Sequence, residues 1–126
     1  MRTNTKAASG IAEQQRIAVV GFPADVDQDS VLPAREKALV LLNRGVKGIV
    51  LDFSATAFCD SSGINAVFRI EHRAKAAGAV LRLAVPPDTQ MYRAFELIGM
   101  SGVVPLLPTV AAAVADLERG IAESAP

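Results

Sequence analysis

Short apolar segments of β type alternate with amphipathic helical segments along most of this chain. A β-type segment over 16–21 is followed by a helical pattern from Ser30 to about Arg44, and the same order recurs three times. The later strand-like segments are 46–52, 79–85 and 103–107, and the later helical segments are 62–77, 92–99 and 109–119. Strands that alternate with helices form parallel sheets, and 126 residues supply one core rather than two. The sequence therefore predicts a single α/β domain with a largely parallel sheet.

Glycine, proline and hydroxyl residues mark the predicted boundaries. Ser30 is predicted to cap the first helix, and Pro33 falls in its first turn, where a missing N–H costs little. Gly45 is predicted to end this helix in a left-handed conformation. Pro105 removes a hydrogen-bond donor from the last strand, which indicates a strand at the edge of the sheet. Thr109 is predicted to cap the final helix.

The segment Phe58-Cys59-Asp60-Ser61-Ser62-Gly63-Ile64 lies where the second strand is followed by the second helix. The first backbone N–H groups of a helix lack intrahelical partners, and the N-terminal end of the helix dipole is positive. Asp60 or Ser61 is therefore expected to cap the helix, which requires no further function. A phosphate on Ser61 is also compatible with this position. The segment thus has two interpretations, a structural cap and a phosphorylation site.

Four segments together resemble the STAS domains of bacterial anti-sigma factor antagonists. They are 49–53, 58–64, 81–84 and 95–100, within a stretch that runs from about Arg16 to Leu117. The resemblance implies a single STAS-like domain over residues 13–119, with a mixed, largely parallel sheet of four to five strands and about four helices. Residues 1–12 are expected to form a flexible segment or a weak edge strand, with an extra strand within 5–14 paired by a hairpin, and residues 120–126 a tail.

The resemblance also implies roles for the residues of the motif. In that family the serine directly after the aspartate is the phosphorylated residue, and the matching position here is Ser61. Asp60 matches the acid of the family motif, Ser62 its second small hydroxyl residue and Gly63 its glycine. Ser61 is therefore predicted to be the phosphoacceptor.

Two regions near the phosphoacceptor are expected to bind a partner. Ile64, Asn65 and Arg69 follow it on the helix, although a solvated helix face is the simpler interpretation of the polar residues. The resemblance also places an aspartate of the loop after the first strand in the partner-binding surface. This loop is longer here than in the family and contains a proline, so either Asp25 or Asp27 can stand at that position. Asp25 is favoured.

Composition argues against several other classes of function. Thirteen basic and 13 acidic residues cancel, so net charge indicates neither nucleic acid nor anionic lipid as a partner. One cysteine and one histidine cannot form a zinc site of the usual kind, and the aspartates at 25, 27 and 29 lack the glycine and distal glutamate of a calcium loop. No cofactor or metal is expected. Apolar segments are too short for a signal peptide or a membrane span, so a cytoplasmic protein is expected.

A serine at a strand-to-helix junction is also the nucleophile of many hydrolases, so the chain must be compared with their motifs. The chain lacks Gly-x-Ser-x-Gly and both common phosphate-binding loop motifs. Its only histidine, His72, lies about 16 Å farther along the same predicted helix than Ser61. A catalytic triad needs direct contact between serine and histidine. The chain is therefore not expected to be an enzyme.

The leading hypothesis is a phosphorylation-controlled anti-sigma factor antagonist that binds an anti-sigma factor when unphosphorylated and frees a sigma factor. The resemblance implies that this partner is also a serine kinase of the GHKL ATPase type and that a PP2C-type serine phosphatase reverses the modification. The alternative is a constitutive STAS scaffold subunit of a stress-sensing or lipid-transport complex. In that case Ser61 is only a cap.

Overall fold

A computed structural model describes residues 16–124 of the chain. The strand predicted within residues 5–14 lies outside this range. The described residues form six strands, four α-helices and one 3-10 helix. The strands are β1 Ile17–Gly21, β2 Asp25–Val26, β3 Gly48–Asp52, β4 Phe58–Cys59, β5 Val80–Ala84 and β6 Leu106–Leu107. The helices are α1 Val31–Asn43, α2 Ser61–Ala77, α3 Gln90–Leu97 and α4 Val110–Ser124, with the 3-10 helix at Met100–Gly102.

The main sheet has the strand order β1-β3-β5-β6, and all its pairs are parallel. β6 lies at the edge, as Pro105 predicts, and the Pro105 carbonyl still accepts a 3.1 Å hydrogen bond from the Leu83 N–H. Helices connect the successive strands of this sheet. The predicted α/β class with a largely parallel sheet is therefore confirmed.

The two faces of this sheet bury cores of different size. Ile49 and Leu51 of β3 point into the larger core, which also contains the apolar faces of α1, α2 and α3. Val50, between them, points to the opposite face and packs with Ala113 and Leu117 of α4. This alternation follows from the two-residue period of a strand. It places α1 and α2 side by side on one face of the sheet.

A second, two-stranded sheet was not predicted from the sequence. β2 and β4 pair in parallel, with Asp25 opposite Phe58 and Val26 opposite Cys59. The Asp60 N–H continues this pairing with a 3.0 Å hydrogen bond to the Val26 carbonyl. Two-residue strands are too short to show a period in the sequence. The consequence is functional, because this pairing fixes the loop after β1 beside the Ser61 motif.

The start of α1 differs from the prediction. Ser30 has helical backbone angles, φ −72° and ψ −18°, and its side chain makes no capping bond to the helix. Instead, Asp27 accepts a 2.9 Å hydrogen bond from the Ser30 N–H, and its carbonyl accepts one of 3.0 Å from the Val31 N–H. Asp27 thus does the capping. It lies three residues before Ser30, so its side chain reaches the Ser30 N–H and its carbonyl reaches the N–H of Val31, the first residue of α1.

Several helix ends agree with the prediction and one does not. Gly45 has φ of 93°, the left-handed conformation predicted for the end of α1, and Gly78 has the same conformation, with φ of 75°, after the last residue of α2. The Thr109 hydroxyl caps α4, as predicted, by accepting a 3.0 Å bond from the Ala112 N–H. α4 continues to Ser124 instead of ending near residue 119, because half-buried Ile121 extends its apolar stripe.

Candidate functional site

Asp60 caps α2. Its backbone is extended, and its carboxylate accepts a 2.8 Å hydrogen bond from the Ser62 N–H. The Asp60 carbonyl also accepts a bond of 3.1 Å from the Gly63 N–H. Of the two residues that the sequence offered as caps, Asp60 and Ser61, the structure therefore selects Asp60.

Ser61 is the first residue of α2, and it is exposed to solvent. Within residues 16–124, its hydroxyl makes no hydrogen bond. Ser62 is half-buried, by contrast, and its N–H is the group that Asp60 caps. Ser61 therefore carries an accessible hydroxyl that the helix does not need for its own start.

Gly63 has a packing role in this site. A Cβ atom at this position would overlap the Cys59 sulfur and lie 2.9 Å from Cγ1 of Val26. Real Cβ atoms do not approach other atoms this closely, so only glycine fits here without a shift of its neighbours. The glycine of the motif therefore lets the first turn of α2 pack against the β2–β4 pair.

Cys59 lies under this turn and is half-buried. Burial, together with the nearby Asp60 carboxylate, raises the pKa of the Cys59 thiol to about 11. A thiol with this pKa carries almost no thiolate at neutral pH and is a poor nucleophile. Cys59 therefore serves as a small packing residue under α2, the usual role of a half-buried cysteine without a basic neighbour.

The five phenylalanines of the chain divide into two groups. Phe22, Phe53 and Phe95 form an aromatic cluster in the larger core, with ring centroids 4.4 Å and 5.5 Å apart. Phe58 and Phe68 are instead 57% and 40% exposed. They precede and follow Ser61 by three and seven residues, respectively. Exposed aromatic side chains beside an accessible hydroxyl are typical of a protein-binding surface.

The exposure of Phe68 corrects the prediction for the buried face of α2. The apolar residues Ile64, Val67, Phe68, Ala74 and Ala77 recur at helical spacing in the sequence, which predicts that they share the buried face, but Phe68 and Ala77 are exposed. The buried residues of α2 are Gly63, Ala66, Val67, Ile70 and Ala74. A helical stripe centred between Val67 and Ile70 leaves residue 68 about 130° away from its centre. The same geometry could have identified Phe68 as a surface residue from the sequence.

Asp25 and Asp27 both lie near the motif, but their carboxylates differ in their contacts. The Asp27 carboxylate accepts hydrogen bonds from the N–H groups of Asp29 (3.1 Å) and Ser30 (2.9 Å). These bonds hold the pKa of Asp27 below its usual value, and the bond from Ser30 has the largest effect. Asp25 is exposed, and its side chain makes no hydrogen bond to the rest of the described chain. It lies opposite Phe58 in the β2–β4 pair.

A polar groove separates the beginnings of α1 and α2. It has a volume of about 350 Å³, and its α2 side consists of Ser62, Asn65, Ala66 and Arg69. The α1 side and the preceding loop contribute Gln28, Asp29, Val31, Leu32 and Arg35. Asn65 and Arg69, predicted from the sequence to bind a partner, thus share this groove, whereas Ile64 is half-buried against the larger core.

Arg35 was not singled out from the sequence. Its Nε atom is buried and has no hydrogen-bond partner. Its guanidinium has one weak contact, 3.5 Å to the exposed carboxylate of Glu36. A buried donor without a partner costs about 1–3 kcal/mol, and only the three-dimensional packing of α1 against α2 shows that it exists.

The remaining candidate groups lie apart. His72 is exposed on α2, three helical turns beyond Ser61. Within residues 16–124, no cluster of three or more histidine, cysteine, aspartate or glutamate residues could hold a metal ion. No helix in the described part of the chain has the length and apolar character needed to span a membrane.

A comparison with family models matches residues 10–113 to the STAS domain. No curated protein sequence matches the chain.

Several solved structures have the same fold. The unphosphorylated anti-sigma factor antagonist SpoIIAA of Bacillus is 22% identical with a TM-score of 0.64, and the match covers 84% of this chain and 92% of SpoIIAA. An anti-sigma factor antagonist from Mycobacterium paratuberculosis is 25% identical with a TM-score of 0.62, over 79% of this chain and 84% of that protein. A sulfate transporter family protein from Wolinella succinogenes is 14% identical with a TM-score of 0.67, over 85% and 88% of the two chains.

Proposed function

This chain belongs to the STAS domain family, and we propose that it is an anti-sigma factor antagonist controlled by phosphorylation of Ser61. In its unphosphorylated form it binds an anti-sigma factor and so releases a sigma factor. The similarity to two anti-sigma factor antagonists of known structure supports the binding class. The control by phosphorylation rests on the geometry of the Ser61 site.

The observation that carries the proposal is that Asp60, and not Ser61, caps the start of α2. The Asp60 carboxylate accepts a hydrogen bond from the Ser62 N–H in the first turn. The exposed Ser61 hydroxyl makes no hydrogen bond within residues 16–124. A kinase can therefore modify Ser61 without removing a cap. The positive end of the α2 dipole also tolerates the added negative charge.

Phe58 and Phe68 give the docking surface its apolar anchors. They are the exposed aromatic side chains on either side of Ser61, and aromatic residues contribute much of the binding energy at protein interfaces. We define the docking surface as Phe58, Ser61 and Phe68, with Asp25 beside Phe58 in the β2–β4 pair.

A phosphate on Ser61 would change the charge of this surface by about −1.5 to −2. The new charge would lie one residue from Asp60, on the docking surface that also exposes the apolar rings of Phe58 and Phe68. An interface shaped for a neutral hydroxyl would then meet like-charge repulsion and a desolvation cost. Binding is lost while the fold is retained, which is the property of a reversible switch.

The proposed partner is an anti-sigma factor that is also a serine kinase of the GHKL type. It supplies ATP and the catalytic groups for the transfer, because the only histidine of the chain lies three helical turns from Ser61. A PP2C-type phosphatase restores the hydroxyl. These proteins would meet in the cytoplasm.

The test is phosphorylation of the purified chain by a GHKL-type anti-sigma kinase of the same organism with ATP. Mass spectrometry should find one phosphate on Ser61 in the wild type and in Ser62→Ala, and none in Ser61→Ala. Phosphate on Ser62 in the Ser61→Ala variant would contradict the assignment. A chain that binds its partner but is never phosphorylated would favour the alternative, a constitutive STAS scaffold subunit.

A further inference from the structure

The polar groove beside Ser62 carries more positive than negative charge. Two guanidinium groups line the groove, those of Arg35 in α1 and Arg69 in α2. The only carboxylate among the lining residues is that of Asp29. Arg69 has no ion pair within residues 16–124. The side-chain amides of Gln28 and Asn65 also line the groove and bring further N–H donors.

Arg35 has a hydrogen-bonding requirement that the described chain does not meet. Its Nε atom is enclosed without a partner, and its contact to Glu36 is long, at 3.5 Å. A guanidinium that turns toward an oxyanion in the groove would regain this hydrogen bond. Arginine binds a carboxylate through two parallel N–H groups, which fixes both the position and the orientation of the ligand.

We infer that this groove is an anion-binding site that receives an aspartate or glutamate side chain of the protein docked at Ser61. The choice of occupant rests on the proposed function and on charge complementarity. Ser62 lines the groove and directly follows Ser61, so a partner that covers the Ser61 hydroxyl also reaches the groove. A volume of about 350 Å³ accommodates a carboxylate side chain.

The first experiment tests the site without any partner. The full-length ¹⁵N-labelled chain is titrated with inorganic phosphate at constant ionic strength and pH 7, and NMR follows the Arg35 Nε–H and the backbone amides of Ser62 and Asn65. Saturable shifts of these signals are expected. Arg69→Gln should weaken phosphate binding at least threefold, while Lys75→Gln, on the same helix but outside the groove, should bind as the wild type does. Absent shifts, or equal shifts in Arg69→Gln, overturn the inference.

The second experiment tests the occupant with the GHKL-type kinase as the partner. Arg69→Gln and Arg35→Gln should each lower the affinity of the unphosphorylated chain at least fivefold and reduce its dependence on salt. Lys75→Gln and Lys37→Gln are the matched controls on the same two helices and should remain within twofold of the wild type. Circular dichroism and thermal melting check that each variant is folded.

The two proposals fail in different ways. If Ser61→Asp abolishes binding but both arginine variants bind as the wild type does, the groove inference is wrong and the switch stands. If the wild type binds no GHKL-type kinase, the proposed function and the acidic occupant both fall, even where phosphate binds. If the arginine variants lose affinity while Ser61→Asp does not, the groove receives the partner and the switch is wrong.

Discussion

The two helices that flank the groove begin with similar residues, but their serines are used differently. Before α1, the Ser30 hydroxyl accepts a 2.9 Å hydrogen bond from the Asp27 N–H and donates one of 2.7 Å to the Asp25 carbonyl. At the start of α2, the Ser61 hydroxyl makes no hydrogen bond within residues 16–124 and is exposed. An aspartate caps each helix. Capping by another residue is therefore not enough to leave a serine hydroxyl free. Ser30 is bound by the backbone of the loop before α1, whereas the Ser61 hydroxyl has no such partner within residues 16–124.

The largest expected effect concerns the third position of each helix, which is Pro33 in α1 and Gly63 in α2. Gly63→Ala should lower the free energy of unfolding by about 1–3 kcal/mol, because the new Cβ would overlap the Cys59 sulfur and crowd Val26. Urea unfolding measures this change. Pro33→Ala, at an exposed position, should change stability by less than about 1 kcal/mol.

A double variant sharpens this prediction. Cys59→Ala removes the sulfur that the new Cβ would meet, so Gly63→Ala should cost less in this background than in the wild type. Equal costs in both backgrounds would mean that crowding against Val26, and not the contact with the Cys59 sulfur, requires the glycine.

The second effect concerns binding. Ser61→Asp should weaken binding to the GHKL-type kinase at least tenfold, equivalent to about 1.4 kcal/mol, while the circular dichroism spectrum stays unchanged. Calorimetry gives the affinities. Ala111→Asp is the matched control, because it adds a carboxylate in the first turn of α4, which packs on the other face of the sheet. Equal affinities of Ser61→Asp and the wild type would contradict the switch.

The comparison also indicates which features can be read from a sequence. The four helices, the parallel sheet and the edge strand next to Pro105 follow from hydrophobic period and from proline and glycine chemistry, which are local properties. The β2–β4 pair and the close approach of Gly63 to Cys59 depend on contacts between segments distant in sequence. No local pattern encodes such contacts.

The same distinction applies to the candidate site. The sequence indicated Ser61 through the family resemblance, and Asn65 and Arg69 because they follow Ser61 on the same predicted helix. It did not indicate Arg35, which reaches the groove from another helix. Nor did it separate Asp60 from Ser61 as the cap, since both residue types cap helices well and only the backbone angles distinguish them.

A third, smaller effect is the difference in stability loss when each of the two serines is replaced by alanine. Ser30→Ala removes a hydroxyl with two hydrogen bonds and should destabilise the fold by about 0.5–1.5 kcal/mol. Ser61→Ala should change stability by less than about 0.5 kcal/mol, as expected for an exposed group without partners. Urea unfolding of both variants under the same conditions checks the difference. A larger loss for Ser61→Ala would mean that its hydroxyl supports the helix start.

The smallest expected effect is confined to acid pH and belongs to the start of α1. Hydrogen bonds from Ser30 and Asp29 lower the pKa of Asp27 in the folded chain from its ordinary value of 3.8. The corresponding stability is present above pH 3.8 and is lost as the pH falls through the lower folded pKa. Asp27→Asn keeps an acceptor oxygen but cannot titrate, so its urea midpoint should fall less than that of the wild type below pH 4. Asp116, whose pKa is lowered mainly by its hydrogen bond with Arg82, contributes in the same direction from α4. Asp116→Asn therefore serves as the comparison, and an acid loss that disappears in this variant alone would place the pH sensitivity at α4 instead of α1.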